Sequence, residues 1–551
     1  MKIPPTDQMQ SEMPGTIAGT RVVLSPTGRG GVDSSFLVFR FAFRFECQTQ
    51  TVNAVEEPGV RPSVDFTKLA DRIAAASVGT VSNAWERRGA GKLFDPGLFS
   101  ADVVALTEED HDRTNPPPHI AGWRMSAKAL QDRAGFGGDR GWKLVWGPES
   151  DPSVQQFRFL SVQMMLFDTG LGYITFEIQP SSDALGAWHD VLHHFQFHDG
   201  RRDVRLQAPM AGPRGEPSAL GATELNLHAR IVEMLDCVGA SYGLSGQDRG
   251  RWWEPAERSG QLHAFGGIVL RDAPEDFESR HRILNRFVEM AHRSRSLDPV
   301  ASDSETAVRE RMQYNDRSWF TATKDVCLFI AFDPDRGRTP DFWLSVMPGH
   351  LRATYAVIDL FTQYQWHCIE TIRTKTIQST SFLQRISSDT SAQRLGRVRA
   401  LQETVMAVRA RGFFTEITRR RNHARFERFL RQITRIDEMH RIAIDGAEAV
   451  GNWVVREWER EERLRAEAAR GRRERGDDSR NQFLMILTAG TVASLPLQLV
   501  AAILSINIRG VTTEHEGMGI LWIVASVMGS LGLGLTFAMW FWLRGRQGNS
   551  D

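Results

Sequence analysis

Two charge-free apolar runs, Asn481–Ile508 and Gly517–Leu543, stand near the end of this chain, separated by the short segment Arg509–Glu516. Each is longer than the roughly 20 residues that a helix rising ~1.5 Å per residue needs to cross ~30 Å of hydrocarbon. No earlier stretch has that character. The expectation is a large water-facing body followed by a membrane hairpin: spans at 481–508 and 517–543, an outer loop at 509–516, and a basic tail at 544–551. Arg472, Arg473, Arg475 and Arg480 precede the first run, and Arg544 and Arg546 follow the second. The positive-inside bias then predicts a multi-pass protein of the inner, cytoplasmic membrane with both termini in the cytoplasm.

The 67 basic and 67 acidic residues balance, so no net field draws the chain to nucleic acid, and none is expected as a partner. The opening segment 1–16 lacks a basic region followed by an apolar one, so insertion is expected to be directed by the hairpin itself. Cys47, Cys237, Cys327 and Cys368 are scattered singly. That pattern suits a reducing compartment rather than a disulfide framework or a structural zinc site.

Along the chain, residues 1–150 read as irregular and loop-rich, except that FLVFRFAFRF at Phe36–Phe45 partly alternates like a strand. Residues 151–340 read as an α/β domain. Phe157–Phe167 and Gly172–Ile178 form a strand pair around Asp168–Gly170, a helix over Asp183–Phe195 starts at Ser182 or Asp183, and Leu225–Cys237 looks helical. A strand is predicted at Leu262–Leu270, a helix at Glu275–His292, and a buried strand at Val326–Phe332. Residues 341–480 read as helical, with Leu351–Thr376, Arg394–Arg411 and one long run starting near Phe426. In that run Ile433, Ile436, Met439, Ala443, Ala447, Val450, Val454 and Trp458 recur at steps of three and four, as in a coiled-coil or bundle seam. Beyond Trp458 the segment is nearly all charge, solvated or paired against copies of itself, with Gly471 and Gly476 as potential breaks. The fold class is therefore α+β, an α/β cytoplasmic domain followed by a helical stalk and two C-terminal transmembrane helices.

Two helices cannot enclose water, so the hairpin either anchors the chain or lines a pore in an oligomer. One face of the first run carries Asn481, Leu484, Leu487, Thr491, Leu495, Gln498, Ala502 and Ser505, ending beside Asn507. An amide such as Gln498 in hydrocarbon is costly unless it meets water or a partner. Hydrogen bonding between helices of neighbouring copies would satisfy it equally well.

Leu495–Asn507, LPLQLVAAILSIN, resembles the end of the first span in CorA-type divalent-cation transporters. Pro496 matches the family proline, Ala501 and Ala502 its small pair, and Asn507 the asparagine of its Gly-Met-Asn signature, which here reads Ser505-Ile506-Asn507. The likeness covers about 30 residues at motif level and about 130 in layout, and the family's acidic loop motif is Thr-Thr-Glu-His-Glu here, 512–516. The resemblance implies a homopentameric channel for Mg²⁺, with Co²⁺, Ni²⁺ or Zn²⁺ as related ions, and no organic cofactor. Asn507, Ser505, Ile506, Gln498 and Asn481 would form the pore and filter. Leu487 and Leu495 would be hydrophobic constrictions, and Glu514 and Glu516 would attract cations at the outer mouth. Outer-shell hydrogen bonds suit an ion that sheds water reluctantly. Asn507, Glu514 and Glu516 are the candidate metal contacts. The alternative is a ligand-gated CorA-like effector of the kind that accompanies type III CRISPR signalling, opened by a small-molecule or nucleotide messenger. A pore-free scaffold anchored in the lipid bilayer is the third reading.

Other clusters are read more plainly. His189, His193, His194 and His198 with Asp190 could supply a metal pair at i, i+4, but read as exposed helix residues. Glu108, Glu109, Asp110 and Asp112 read as a solvated loop, with Mg²⁺ sensing as the sharper alternative. Arg419, Arg420, Arg421 and Arg425 beside Phe413, Phe414 and Phe426 read as a charged helix face or a phosphate-binding surface. No Walker loop, dinucleotide fingerprint or nucleophile–base–acid trio is found, so an enzyme is not expected.

Overall fold

The computed structural model describes residues 21–22, 35–45, 85–88, 120–125, 142–147, 150–195, 205–207, 224–225, 252–256, 262–271, 276–292, 309–332, 342–384 and 391–505, with residue 274 and scattered positions within 227–236 and 526–540. The chain divides into two compact units, Met1–Gly451 and Asn452–Asp551.

The first unit is organised by its second strand. In β2 (Phe36–Phe45) the odd positions Leu37, Phe39, Phe41, Phe43 and Phe45 are all apolar and enter one core. The even positions Phe36 and Val38 enter a second core on the opposite face. A strand buried on both sides must lie inside a sheet with layers above and below it. It does: one fourteen-stranded sheet assembles around it among the described residues.

The sheet takes β1 (Arg21–Val22), β3 (Trp85–Arg88), β4 (Ile120–Met125) and β5 (Trp142–Trp146) from the segment that reads as loop-rich. It continues with β6 (Ser153–Phe167), β7 (Leu171–Pro180), β8 (Arg205–Gln207), β9 (Glu224–Leu225) and β10 (Trp253–Pro255). It ends with β11 (His263–Arg271), β12 (Arg311–Asn315), β13 (Ser318–Ala322) and β14 (Val326–Phe332). The order is β12-β13-β14-β11-β2-β7-β6-β5-β8-β9, with β1 on β11, β10 on β2, β4 on β6 and β3 on β4. β11 and β14 are parallel, and the other pairs are antiparallel.

Helices α1 (Leu185–Phe195) and α2 (Phe277–Ala291) cover one face. Trp188, Leu192 and Phe195 of α1 and Ile283 and Phe287 of α2 join Leu37 and Phe39 in a single core. Ser182 accepts from the amide of Ala184, close to the start expected for α1, and Asp276 caps α2 through the amide of Ser279.

The other face carries α3 (Ala356–Gln384), α4 (Ser391–Ala407), α5 (Arg421–Thr434) and the start of α6 (Ile436–Ser505). Two π-helical segments, Phe342–Val346 and Leu351–Tyr355, lead into α3. Ile358, Phe361, Val405, Phe426, Ile436 and Ala443 pack with Phe36 and Val38 there. The single run expected from Phe426 is two helices: Arg435 adopts φ 53, and its amide bonds Arg431 O. A left-handed non-glycine residue costs about 1–2 kcal/mol. The ion pair from Arg431 to Asp437 bridges the turn and offsets that strain.

In the second unit α6 passes through Gly471 without a break and ends at Ser505. Exposed pairs such as Glu461–Arg465 (3.3 Å) line it. The expected membrane hairpin is corrected here. Among the described residues no helix is long and apolar enough to cross a membrane. The described apolar side chains of α6 come as Phe483–Leu487, Val492 and Leu495, punctuated by Thr488, Gly490, Thr491, Ser494 and Gln498. The two transmembrane helices, the description of the chain as a membrane channel, and its placement as a multi-pass protein of the inner membrane are therefore not supported.

Close packing at β2 gives a direct check. A Cβ built on Gly172 would meet three ring carbons of Phe43 within 2.7 Å. Gly172→Ala is expected to destabilise the protein by about 1–3 kcal/mol in chemical denaturation, whereas Gly186→Ala, where nothing lies within 4 Å, should leave the midpoint nearly unchanged.

Candidate functional site

The even positions of β2 beyond Val38 are Arg40, Ala42 and Arg44, so charge appears on the face that lies under α3. His263 stands in register with Arg40 on β11, and Glu254 with Arg44 on β10. On α3, Asp359, Gln363, His367 and Glu370 follow at steps of four, four and three, a single helical stripe. Two polar rows, one from the strand and one from the helix, are thus brought together inside the second core.

Asp359 is the centre of this arrangement at 1% exposure. It accepts from Arg40 Nη1 and from His263 Nε2 (2.9 Å), while Arg40 Nη2 donates to Ala356 O at 2.7 Å. Burial alone would push the Asp359 carboxyl up, but His263 and Arg40 together outweigh it and hold it below the usual range. Further along, burial drives the His367 imidazole well down, with Arg44, His263 and Lys324 adding to the effect, so the ring is neutral. Arg44 is depressed by burial, with Glu254 and Glu370 acting in the other direction. Gln363 donates to Lys324 O at 3.3 Å, and Lys324 Nζ sits 4.0 Å over the Trp366 ring.

This cluster fixes charge rather than presenting a nucleophile. Burial pushes the Cys327 thiol well up and that of Cys368 to about 12. Both are held as thiols in the core, not as the thiolates that attack. What the geometry does is tie α3 to the sheet through the buried Arg40–Asp359 ion pair, with His263 bonded to the same carboxylate. The signal was present in the sequence as two arginines four residues apart, on one face of an otherwise apolar strand.

The residues read as pore-forming lie in the second unit. Asn481 and Gln498 are exposed on α6, and Leu487 and Leu495 are each 54% exposed. Ser505 is the last residue of α6. Ile506, Asn507, Glu514 and Glu516 lie outside the described residues, as do Cys47, Cys237, His198 and the acidic run Glu108–Asp112. The hydroxyls of Thr488, Thr491 and Ser494 donate back to Leu484 O (2.7 Å), Leu487 O (2.8 Å) and Thr491 O (2.8 Å). Their oxygens therefore face outward as acceptors.

The histidine cluster differs from its reading as exposed helix. His189 and His193 are buried, with rings 6.2 Å apart, and His194 stacks on Trp146 at 4.4 Å. α1 turns this side into the first core, so the imidazoles act as packing. Among the described residues no group of three or more His, Cys, Asp or Glu could hold a metal. No family model matches the chain, and no curated protein or solved structure is found similar to it.

Asp359→Asn removes one partner of a buried pair and leaves Arg40 uncompensated, a change worth about 3–5 kcal/mol in denaturant unfolding. The pH dependence has two parts. Asp359, lowered in the fold, contributes stability above its unfolded value of about 3.9, and this is lost as pH falls through the folded value. His367, held neutral, makes the unfolded state bind the extra proton, so stability declines as pH falls below about 6.5. His367→Gln should flatten the unfolding midpoint between pH 7 and about 5, whereas Asp359→Asn should flatten it only at more acid pH.

Proposed function

We propose that this chain works as a homo-oligomer assembled through α6, which carries Mg²⁺ or a related divalent cation along the polar row of the assembled helices, in the manner of the CorA-type proteins its Leu495–Asn507 segment resembles. The observation that carries the reading is the state of α6 in a single copy. Phe483, Leu484, Met485, Ile486, Leu487, Val492 and Leu495 are each at least half exposed. Covering such side chains gains about 1.5–3 kcal/mol apiece, so together they supply a driving force of the order of 10 kcal/mol for burying this surface.

The polar row supports the ion. Asn481, Thr491 and Gln498 fall on one side of the helix, with Thr488 and Ser494 beside them. Because the three hydroxyls already donate to the helix backbone, they offer lone pairs to water molecules that donate outward from a hydrated cation. Mg²⁺ keeps its waters readily, and rings of acceptors from several copies would hold them without stripping the ion. The family resemblance implies that Asn507 would add a side-chain carbonyl.

Native mass spectrometry of the full-length protein should give one species of five copies, and Leu487→Glu with Leu495→Glu should shift it towards smaller ones. Equilibrium dialysis of the assembled wild-type protein against Mg²⁺ should show saturable binding, and Asn507→Ala should weaken it at least several-fold. A monomer in the first measurement, or no Mg²⁺ binding by the wild type in the second, would remove the proposal.

A further inference from the structure

A cavity of about 410 Å³ opens between α5 and the segment that leads into it, with Phe413, Thr415, Glu427, Arg428, Arg431 and Gln432 on its walls. That volume lies within the ~300–1,000 Å³ typical of small-molecule sites. Its inner charges are already committed. Glu427 accepts from the amides of Ile417 (2.9 Å) and Thr418 (3.3 Å). Arg431 donates to Gln365 Oε1 (3.0 Å), to Phe414 O (2.8 Å) and to Asp437. Phe413 is held between the His440 ring at 3.7 Å and the Arg431 guanidinium at 5.2 Å. The inner wall is thus rigid and internally satisfied.

The rim is not. Arg421, Arg425 and Arg428 occur at steps of four and three along the exposed side of α5, and Arg419 and Arg420 are exposed just before it. None of the five has an ion-pair partner among the described residues, and the first turn of α5 carries no acid. Like charges at i, i+4 destabilise a helix by about 0.2–0.5 kcal/mol per pair, so this row is arranged against the helix's own stability. Arg428 belongs both to the row and to the cavity wall.

The geometry points to a binding site for a small organic polyphosphate of nucleotide size, its phosphates on Arg421, Arg425 and Arg428 and its organic part in the cavity. Guanidinium forks match phosphate oxygens two at a time. Thr415 and Gln432 on the wall, with Glu416 beside them, offer hydroxyl, amide and carboxylate groups to the hydroxyls and amines such a ligand carries. This site lies in the first unit and is independent of the oligomer proposed above.

Titration calorimetry on the full-length protein at about 0.15 M salt, with ATP and inorganic tripolyphosphate as probes, tests the assignment. ATP should bind the wild type more tightly than tripolyphosphate does. The triple variant Arg421→Gln, Arg425→Gln, Arg428→Gln should weaken ATP at least tenfold. Gln432→Trp, which fills the cavity, should weaken ATP while leaving tripolyphosphate unchanged, with thermal melts confirming that both variants are folded. Absence of ATP binding, an unaffected triple variant, or equal affinity for the two probes with no effect of Gln432→Trp would each overturn the site.

Discussion

The buried contact of Asp359 with Arg40 and His263 is the constraint from which the layout of the first unit follows. A carboxylate at 1% exposure is tolerable only with charge and hydrogen bonds supplied at fixed positions. Those positions come from two neighbouring strands, β2 and β11, and the register between them puts Arg40 opposite His263. α3 must therefore cross the sheet at that point and at that rotation. Purely apolar packing between helix and sheet would accept several rotations of the helix at similar energy. A single buried acid facing two bases accepts one, because a rotation of one residue, about 100°, would strand all three groups.

The same constraint explains the composition of β2. Its odd positions form an unbroken apolar row, since that face meets an apolar core that includes α1, α2, Trp252 and Trp253, with the Phe195 ring 4.5 Å from Phe39. Its even positions change from Phe36 and Val38 to Arg40 and Arg44 along the strand, as the helix above changes from the apolar entry around Tyr355 and Ile358 to the polar stripe of Asp359, Gln363 and His367. Each half of the strand is matched to what lies over it. Arg352, whose guanidinium sits 3.9 Å over the Phe36 ring while pairing with Glu177, joins the two regimes.

Much of this was legible from residue order. The alternation of Phe36–Phe45, the hairpin around Asp168–Gly170, the cap region of α1 and the wholly apolar β14 follow from periods of two and 3.6 and from local turn chemistry, with φ 84 at Gly170 as the demand that glycine meets. Strand order was not legible, because β2 pairs with β7, β10 and β11, partners between about 130 and 230 residues away that no local pattern specifies. Short strands such as β3 and β5 were missed for the same reason: Trp85–Arg88 and Trp142–Trp146 acquire their conformation from ladders supplied by β4, β6 and β8. The break at Arg435 was hidden because an arginine in a left-handed conformation has no sequence signature, and its offsetting contact, Arg431 to Asp437, can be recognised only once the turn exists.

The apolar run in α6 teaches a different lesson. Length and absence of charge made Asn481–Ile508 look like a membrane span, but those two properties measure only how unwelcome a segment is in water, not what covers it. Covering can come from other copies as readily as from lipid. The face of α6 that carries Asn481, Thr491 and Gln498 also carries Leu484, Leu487 and Leu495, so it is mixed rather than polar throughout. Thr488, Thr491 and Ser494 are each folded back on their own backbone, so their donors are satisfied within the single chain. A donor tied internally cannot compete for a neighbour's carbonyl, which leaves the oxygen free to meet whatever donor the enclosed space contains. In a shared interior that donor is water, and water held in rings of oxygen acceptors is the environment a hydrated divalent cation prefers.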